Sequence, residues 1–324
     1  MDSDWVLEIL ACPRCHRGGI STDGADVVCT ACGCRIHEKD GVLDFLLDPH
    51  PIVRREQEAV ARTDSDDPTY NNRLAELLRA IDRDEQVELS GEEAKAFSCI
   101  VHIRDARRHL VELLNRHDPE EESVVLELGA DHCWASGLFL DRGCKVIATD
   151  ITNHLRFAPR PSDGNLFRIK ADMNRIPVLD ESIDSVWITA AAHHSWDLGI
   201  LFGEAARVLK PGGTFFLCCE PMPSWFRFAL FGFGIGFGRG QRKVGVNERL
   251  LPRSKWIRLC RKAGLIPTLI FPRHSAEEIK AKLRKYRLPQ CLTPLAASSA
   301  PLLQVSIHMT ARKPASGRLE TKPD

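Results

Sequence analysis

From Val124 to Pro221 the chain alternates strand-length apolar runs with helix-length segments. The runs sit in VVLELGADHCWAS, KVIATD, IKADMNRIP, IDSVWITAAAHHS and EAARVLKPGGTFFLCCEP. Each ends in an acidic or small residue, a rhythm that predicts successive βαβ units and a parallel sheet. Ligands of such sheets sit beyond the carboxyl ends of the strands. Gly129 follows the first predicted strand, Asp150 ends the second and Asp172 follows the third. His193 and His194 follow the fourth, and Glu220 ends the fifth.

The flanks carry a different pattern. Residues 48–72 are polar, with proline and an acidic cluster, and read as linker or exposed helix. Leu74, Leu77, Leu78 and Ile81 form a helical stripe. The segment EEAKAFSCIVHIRDARRHLVELLNRH is a second helix candidate. After the fifth strand, Trp225, Phe226, Phe228, Phe231, Phe233 and Phe237 are interleaved with closely spaced glycines. That stretch reads as a lid or wall for an apolar substrate, or as core. LIPTLIFP and LLQVSIHMTARK read as the last two strands. Between them EEIKAKLRKYR puts Ile279, Leu283 and Tyr286 on one face of a basic helix, a pattern suited to an anionic surface.

Near the start, Cys12, Cys15, Cys29 and Cys32 form two C-x2-C knuckles. Two such knuckles close a tetrahedral thiolate site for Zn2+. Cys34, His16 and His37 remain alternatives for the fourth ligand. A disulfide pair is the competing reading; the twelve cysteines are scattered without an extracellular framework. Four thiolates leave no open coordination position, which makes the metal structural.

The chain has 324 residues, room for two domains, and no apolar run long enough to span a membrane. Its acidic first residues lack the basic start of an export signal, so a cytoplasmic location is expected, with a peripheral place at the membrane as its variant. Zero net charge hides an asymmetry. Residues 1–220 hold 24 Lys and Arg against 39 Asp and Glu, whereas residues 221–324 hold 20 against 5. A split of this kind points to contact with RNA or a membrane surface through the basic half, or to neutralisation by the acidic half.

The order and spacing of the motifs, with ARVLKPGG before the fifth strand, resemble the class I S-adenosylmethionine-dependent methyltransferases. The likeness is greatest to the branch that acts on small molecules and lipids. Residues 5–47 resemble the small zinc-ribbon proteins that accompany RNA and protein methyltransferases. The implied fold is α/β: a Rossmann-like, seven-stranded methyltransferase sheet with a small N-terminal zinc ribbon. The implied domains are a ribbon (1–50), a helical linker or cap (51–122) and a methyltransferase domain (123–312) with an insertion at 222–248. A disordered tail (313–324) follows.

The resemblance implies a site for S-adenosyl-L-methionine built from Glu127, Gly129, Asp131, Asp150, Ile151, Asp172, Met173 and Ala190. Asp150 takes the ribose hydroxyls, since a carboxylate accepts both O–H bonds. Asp172 lies near the adenine amino group, and Met173 packs on the ring. His193, His194 and Glu220 are the candidates for a catalytic base. One departure stands out. Where the family reads E-x-G-x-G-x-G, this chain has Asp131 and Cys133 at the second and third glycine positions. Three functions follow: a methyltransferase for a small-molecule or lipid-like acceptor, an rRNA or tRNA methyltransferase, and a non-catalytic scaffold with a degenerate cofactor loop. The sequence sets no oligomeric state.

Overall fold

A computed structural model describes residues 4–62, 64–65, 67–160, 164–224, 228, 242–243, 245–272, 280, 284, 290–292, 294 and 306–315. The expected roles of Trp225, Phe226, Phe231, Phe233 and Phe237, and of the Ile279–Leu283–Tyr286 face, lie outside the described residues.

The central sheet has nine strands in the order β11-β12-β10-β9-β6-β7-β8-β5-β4. Its middle is parallel: β6 (Val124–Leu128), β7 (Lys145–Asp150), β8 (Leu166–Lys170), β9 (Ile183–Thr189) and β10 (Leu209–Pro221). Two antiparallel strands, β12 (Ser306–Arg312) and β11 (Ile266–Ile270), close one edge. These are the seven strands expected of the methyltransferase sheet. Strand order reverses at β6, which lies between β7 and β9 and so opens a crevice at their carboxyl ends.

Buried residues alternate between the two faces of the sheet. Leu126, Ile147, Val186, Ile188, Phe215 and Leu217 join one core, while Val125, Val146, Ala148, Trp187 and Phe216 join the other. This period of two is what a strand buried on both faces dictates. Helices α3 (Pro68–Asp82) and α5 (Ser98–Leu114) cover one face; α7 (Leu198–Val208) and α8 (Arg253–Lys262) cover the other. Leu74, Leu77, Leu78 and Ile81 are all buried, as the stripe required. Asp67 caps α3 through Thr69 N–H, with Pro68 in the first turn. The VLKPGG turn enters β10, where a Cβ on Gly213 would meet Asp184 O and Lys210 O at 2.9 Å; only glycine fits there.

The ribbon has its own antiparallel sheet of β1 (Ile20–Asp23), β2 (Asp26–Cys29) and β3 (Arg35–Ile36). Its last hairpin, β4 (Glu38–Lys39) and β5 (Val42–Asp44), leaves that sheet and extends the large one. There β5 runs parallel to β8 and covers its edge. Val6, Leu10, Cys12, Ile20, Val27 and Cys29 share one core with the face that carries α7 and α8. The boundary drawn at residue 50 thus separates elements that share one sheet and one core. Residues 51–61 form helix α2 (Pro51–Ala61), which is not merely exposed linker: Val53, Glu56 and Ala59 are buried.

Candidate active site

A cavity of about 380 Å³ opens at the carboxyl ends of β6, β7 and β9. Its floor holds seven of the eight expected cofactor residues: Gly129, Asp131, Asp150, Ile151, Asp172, Met173 and Ala190. Glu127 is different. It is buried behind the loop, where Ser136 Oγ donates to its Oε2 over 2.6 Å. Burial, with Asp150 and Asp131 adding to it, pushes Glu127 up to about 8. Val53, Glu56 and Val60 of α2, with His102, Ile103 and Ala106 of α5, roof the cavity. A larger cleft of about 640 Å³ lies between ribbon and sheet and shares only Asp172 and Asn174 with the first.

The loop after β6 is left-handed at each family glycine position. Gly129 has φ +70°, Asp131 +47° and Cys133 +53°. A Cβ on Gly129 would come within 2.5 Å of Ala191 Cβ, so the close approach itself demands glycine. Asp131 tolerates this backbone better than most side chains. Its carboxylate is also fully engaged. Oδ2 lies 2.6 Å from His132 Nδ1, and Oδ1 lies 2.6 Å from His154 Nδ1. His154 Nε2 reaches Asp64 Oδ1 at 2.7 Å, tying the loop to the segment that follows α2. Burial works against the charged form of Asp131, but His132 and His154 outweigh it and hold the carboxyl well below its usual range. Burial likewise opposes the imidazolium of His154, yet Asp131 and Asp64 push it up to about 10.

Asp150 Oδ1 accepts from Thr152 N–H and Oγ–H, each at 2.8 Å, while among the described residues Oδ2 accepts only from Asp131 N–H at 3.0 Å. One lone pair of Oδ2 therefore remains for a ligand hydroxyl. Burial and the neighbouring Asp131 raise Asp150 above its ordinary value. Asp172 accepts from Asn174 N–H at 2.8 Å and from Trp196 Nε1–H at 2.8 Å. Trp196 stacks on His50 with centroids 4.2 Å apart.

Of the expected base candidates, only His194 lines the cavity. Glu220 is wholly buried and accepts from the N–H groups of Ala191, Ala192 and His193. Its Oε2 lies 2.9 Å from His193 Nδ1. These bonds shape the turn after β9, so Glu220 and His193 act behind the surface. Asp197 caps α7 through Gly199 and Ile200 N–H.

Two site residues escaped the sequence pattern: His154 and Glu56. Glu56 had a faint signal, since it falls three residues after Val53 on the inward face of α2.

In the ribbon, one Sγ from each of Cys12, Cys15, Cys29 and Cys32 lies within 4.8 Å of the others. Cys12 and Cys32 are 3.6 Å apart, and Cys15 and Cys29 are 3.7 Å apart. Ligands about 2.3 Å from a tetrahedral Zn2+ have sulfurs roughly 3.8 Å apart, so the set fits that ion. Cys34 is not one of the four, its thiol lying 3.9 Å from Arg35 O, and His37 pairs with Asp26.

The sequence profile of the family described as a methyltransferase domain matches residues 126–217. Residues 126–217 form a methyltransferase domain. Demethylmenaquinone methyltransferase of Streptomyces griseus is 26% identical over 111 residues, 34% of this chain and 48% of that protein. The malonyl-[acyl-carrier protein] O-methyltransferase of Enterobacter lignolyticus is 27% identical over 113 residues, 35% of this chain and 45% of that one. The match spans less than half the length of either relative. Geranyl diphosphate C-methyltransferase from Streptomyces coelicolor A3(2) aligns with 82% of this chain and 99% of its own, at TM-score 0.52 and 17% identity. A chain from the complex between the Haloferax volcanii Trm112 methyltransferase activator and a methyltransferase aligns with 71% of this chain and 100% of its own, also at 0.52 and 17%. These likenesses are of fold.

Proposed function

We propose that this protein is an S-adenosylmethionine-dependent methyltransferase acting on a small-molecule or lipid-like acceptor, with a structural zinc in its ribbon. The observation that carries the reading is the left-handed loop of Gly129, Asp131 and Cys133 facing Asp150 Oδ2, which keeps a free lone pair. The residues fit the cofactor. Gly129 provides the close backbone approach, Asp150 a ribose acceptor, and Met173 and Ile151 apolar walls. Bound there, S-adenosylmethionine supplies an electrophilic methyl group. The chain's part is to hold donor and acceptor in line and keep water out. The roof of α2 and α5 serves the second task, anchored by Gln57 Nε2–H donating to Ile151 O at 2.6 Å. Proton handling falls to the cavity wall formed by His194 and Glu56.

The scaffold reading rested on Asp131. Its carboxylate is paired with the His154 imidazolium and lies within hydrogen-bond distance of His132, which answers the electrostatic objection to a cofactor. The small-molecule class draws on relatives named for demethylmenaquinone and malonyl-[acyl-carrier protein]. An RNA acceptor is the second reading and rests on the basic C-terminal half. The test is transfer of labelled methyl from S-adenosylmethionine into three pools: lipid extract, small metabolites and RNA. Label in the first two supports the proposal; label in RNA alone moves the second reading to first place.

A further inference from the structure

The Asp172 end of the cavity is tied to the junction between ribbon and roof. Asp172 is buried, and among the described residues each of its oxygens is held by one donor: Oδ1 by Asn174 N–H and Oδ2 by Trp196 Nε1–H, both at 2.8 Å. Trp196 is in turn fixed by its neighbours. Ser195 Oγ–H donates to Asn174 Oδ1 at 3.0 Å, and Asn174 Nδ2–H donates to Asp197 O at 2.5 Å. The indole stacks on His50 with the ring planes 9° apart, and His50 Nδ1 accepts from Ile52 N–H at 3.3 Å in the first turn of α2. Arg175 Nη1–H donates to Asp48 O at 3.1 Å, a second tie to the same junction.

The two bonds decide what Asp172 can recognise. A carboxylate oxygen has room for two hydrogen bonds, so each oxygen keeps a place for a ligand donor. Asp172 receives both of its bonds, and toward the cavity it presents lone pairs alone. A purine carries at its 6-position either an amino group, which donates, or an oxo group, which accepts. The amino group pairs with a carboxylate lone pair. The oxo group sets acceptor against acceptor in a buried site and forfeits the bond. A carboxylate free to turn would swing away from that contact. The indole N–H and Asn174 N–H hold this one in place, so the choice between the two groups is built into the fold.

We propose that Trp196 is a positioning residue that fixes the Asp172 carboxylate against the 6-amino group of a purine, and so makes the site select adenosyl over inosyl ligands. Its action runs through Asp172. Both residues line the cavity, and the stack on His50 keeps the indole from leaving its place. The inference rests on the methyltransferase reading, which puts the adenosyl group of the cofactor in this cavity.

The test uses the full, zinc-loaded chain and two probes, S-adenosylhomocysteine and its 6-oxo counterpart S-inosylhomocysteine, each titrated by calorimetry. The unaltered protein should bind the first about 10- to 100-fold more tightly, the worth of a hydrogen bond to a charged group. Trp196→Phe keeps an aromatic ring against His50 and removes the N–H. It should bring the two affinities within about threefold of each other, as the oriented bond is lost. Asp172→Asn should lose the same preference. Thermal melts check that each variant is folded. A Trp196→Phe protein that weakens both ligands equally, or that keeps the full preference, overturns the proposal, because a merely structural indole would leave the ratio alone. An unaltered protein that binds both ligands alike overturns it too. Binding of neither ligand by the folded, unaltered chain defeats the methyltransferase reading itself, and this inference with it.

Discussion

Asp131 occupies a backbone position at φ +47° that the family gives to glycine, and the fold compensates with two histidines. His154 also reaches Asp64, in the segment that follows α2. Its ordinary value of 6.5 rises to about 10 in the folded protein. The native state therefore holds a proton that the unfolded chain releases between these values. The stabilisation is complete below pH 6.5 and is lost as pH rises toward about 10. His154→Gln should lower the melting temperature at pH 6 and leave it nearly unchanged at pH 10; equal losses at both would refute the pairing. Glu127 acts in the same sense over a lower window. Raised from 4.5 to about 8, it keeps a proton that the unfolded chain loses, so it costs stability progressively across that range. Glu127→Gln should flatten the decline in melting temperature from pH 5 to 8, and an unchanged slope would contradict a neutral Glu127. The glycine loop and its departure were legible in sequence, since the resemblance to the methyltransferase pattern marked Asp131 and the second apolar run ends at Asp150. His154 was not, because its role depends on a contact with a residue ninety positions away.

At the scale of elements, the apolar runs announced the parallel strands because every second residue meets a different core. Trp187 shows this best. It is buried in β9 and stacks on Phe216 of β10 with centroids 3.8 Å apart. Trp187→Ala should cost about 3–5 kcal/mol, measured by denaturant unfolding; a loss well under 1 kcal/mol would contradict that packing. The short hairpin of β4 and β5 was not legible. Two and three residues carry no periodic signal, and β5 is made a strand by the waiting edge of β8. Helix α2 was obscured for a related reason: its inward face carries Glu56, a charged residue that masks the apolar stripe.

For the whole molecule, ribbon and sheet share a core, so the ribbon's metal should stabilise far more than the first fifty residues. Cys12→Ser should lose one zinc equivalent, and its melt should show one transition at lower temperature. Retention of the full metal content would refute that ligand, and a separate early transition would contradict the shared core. Among the described residues no helix is long and apolar enough to cross a membrane. The central claim is that the crevice at β6, β7 and β9 binds S-adenosylmethionine through Asp150. Calorimetric titration with S-adenosylmethionine and S-adenosylhomocysteine tests it most directly. The account predicts one-to-one micromolar binding of both, weakened about 10- to 100-fold in a folded Asp150→Ala variant, as loss of a charged hydrogen bond implies. No binding by the folded, zinc-loaded protein, or an affinity indifferent to Asp150→Ala, would contradict it.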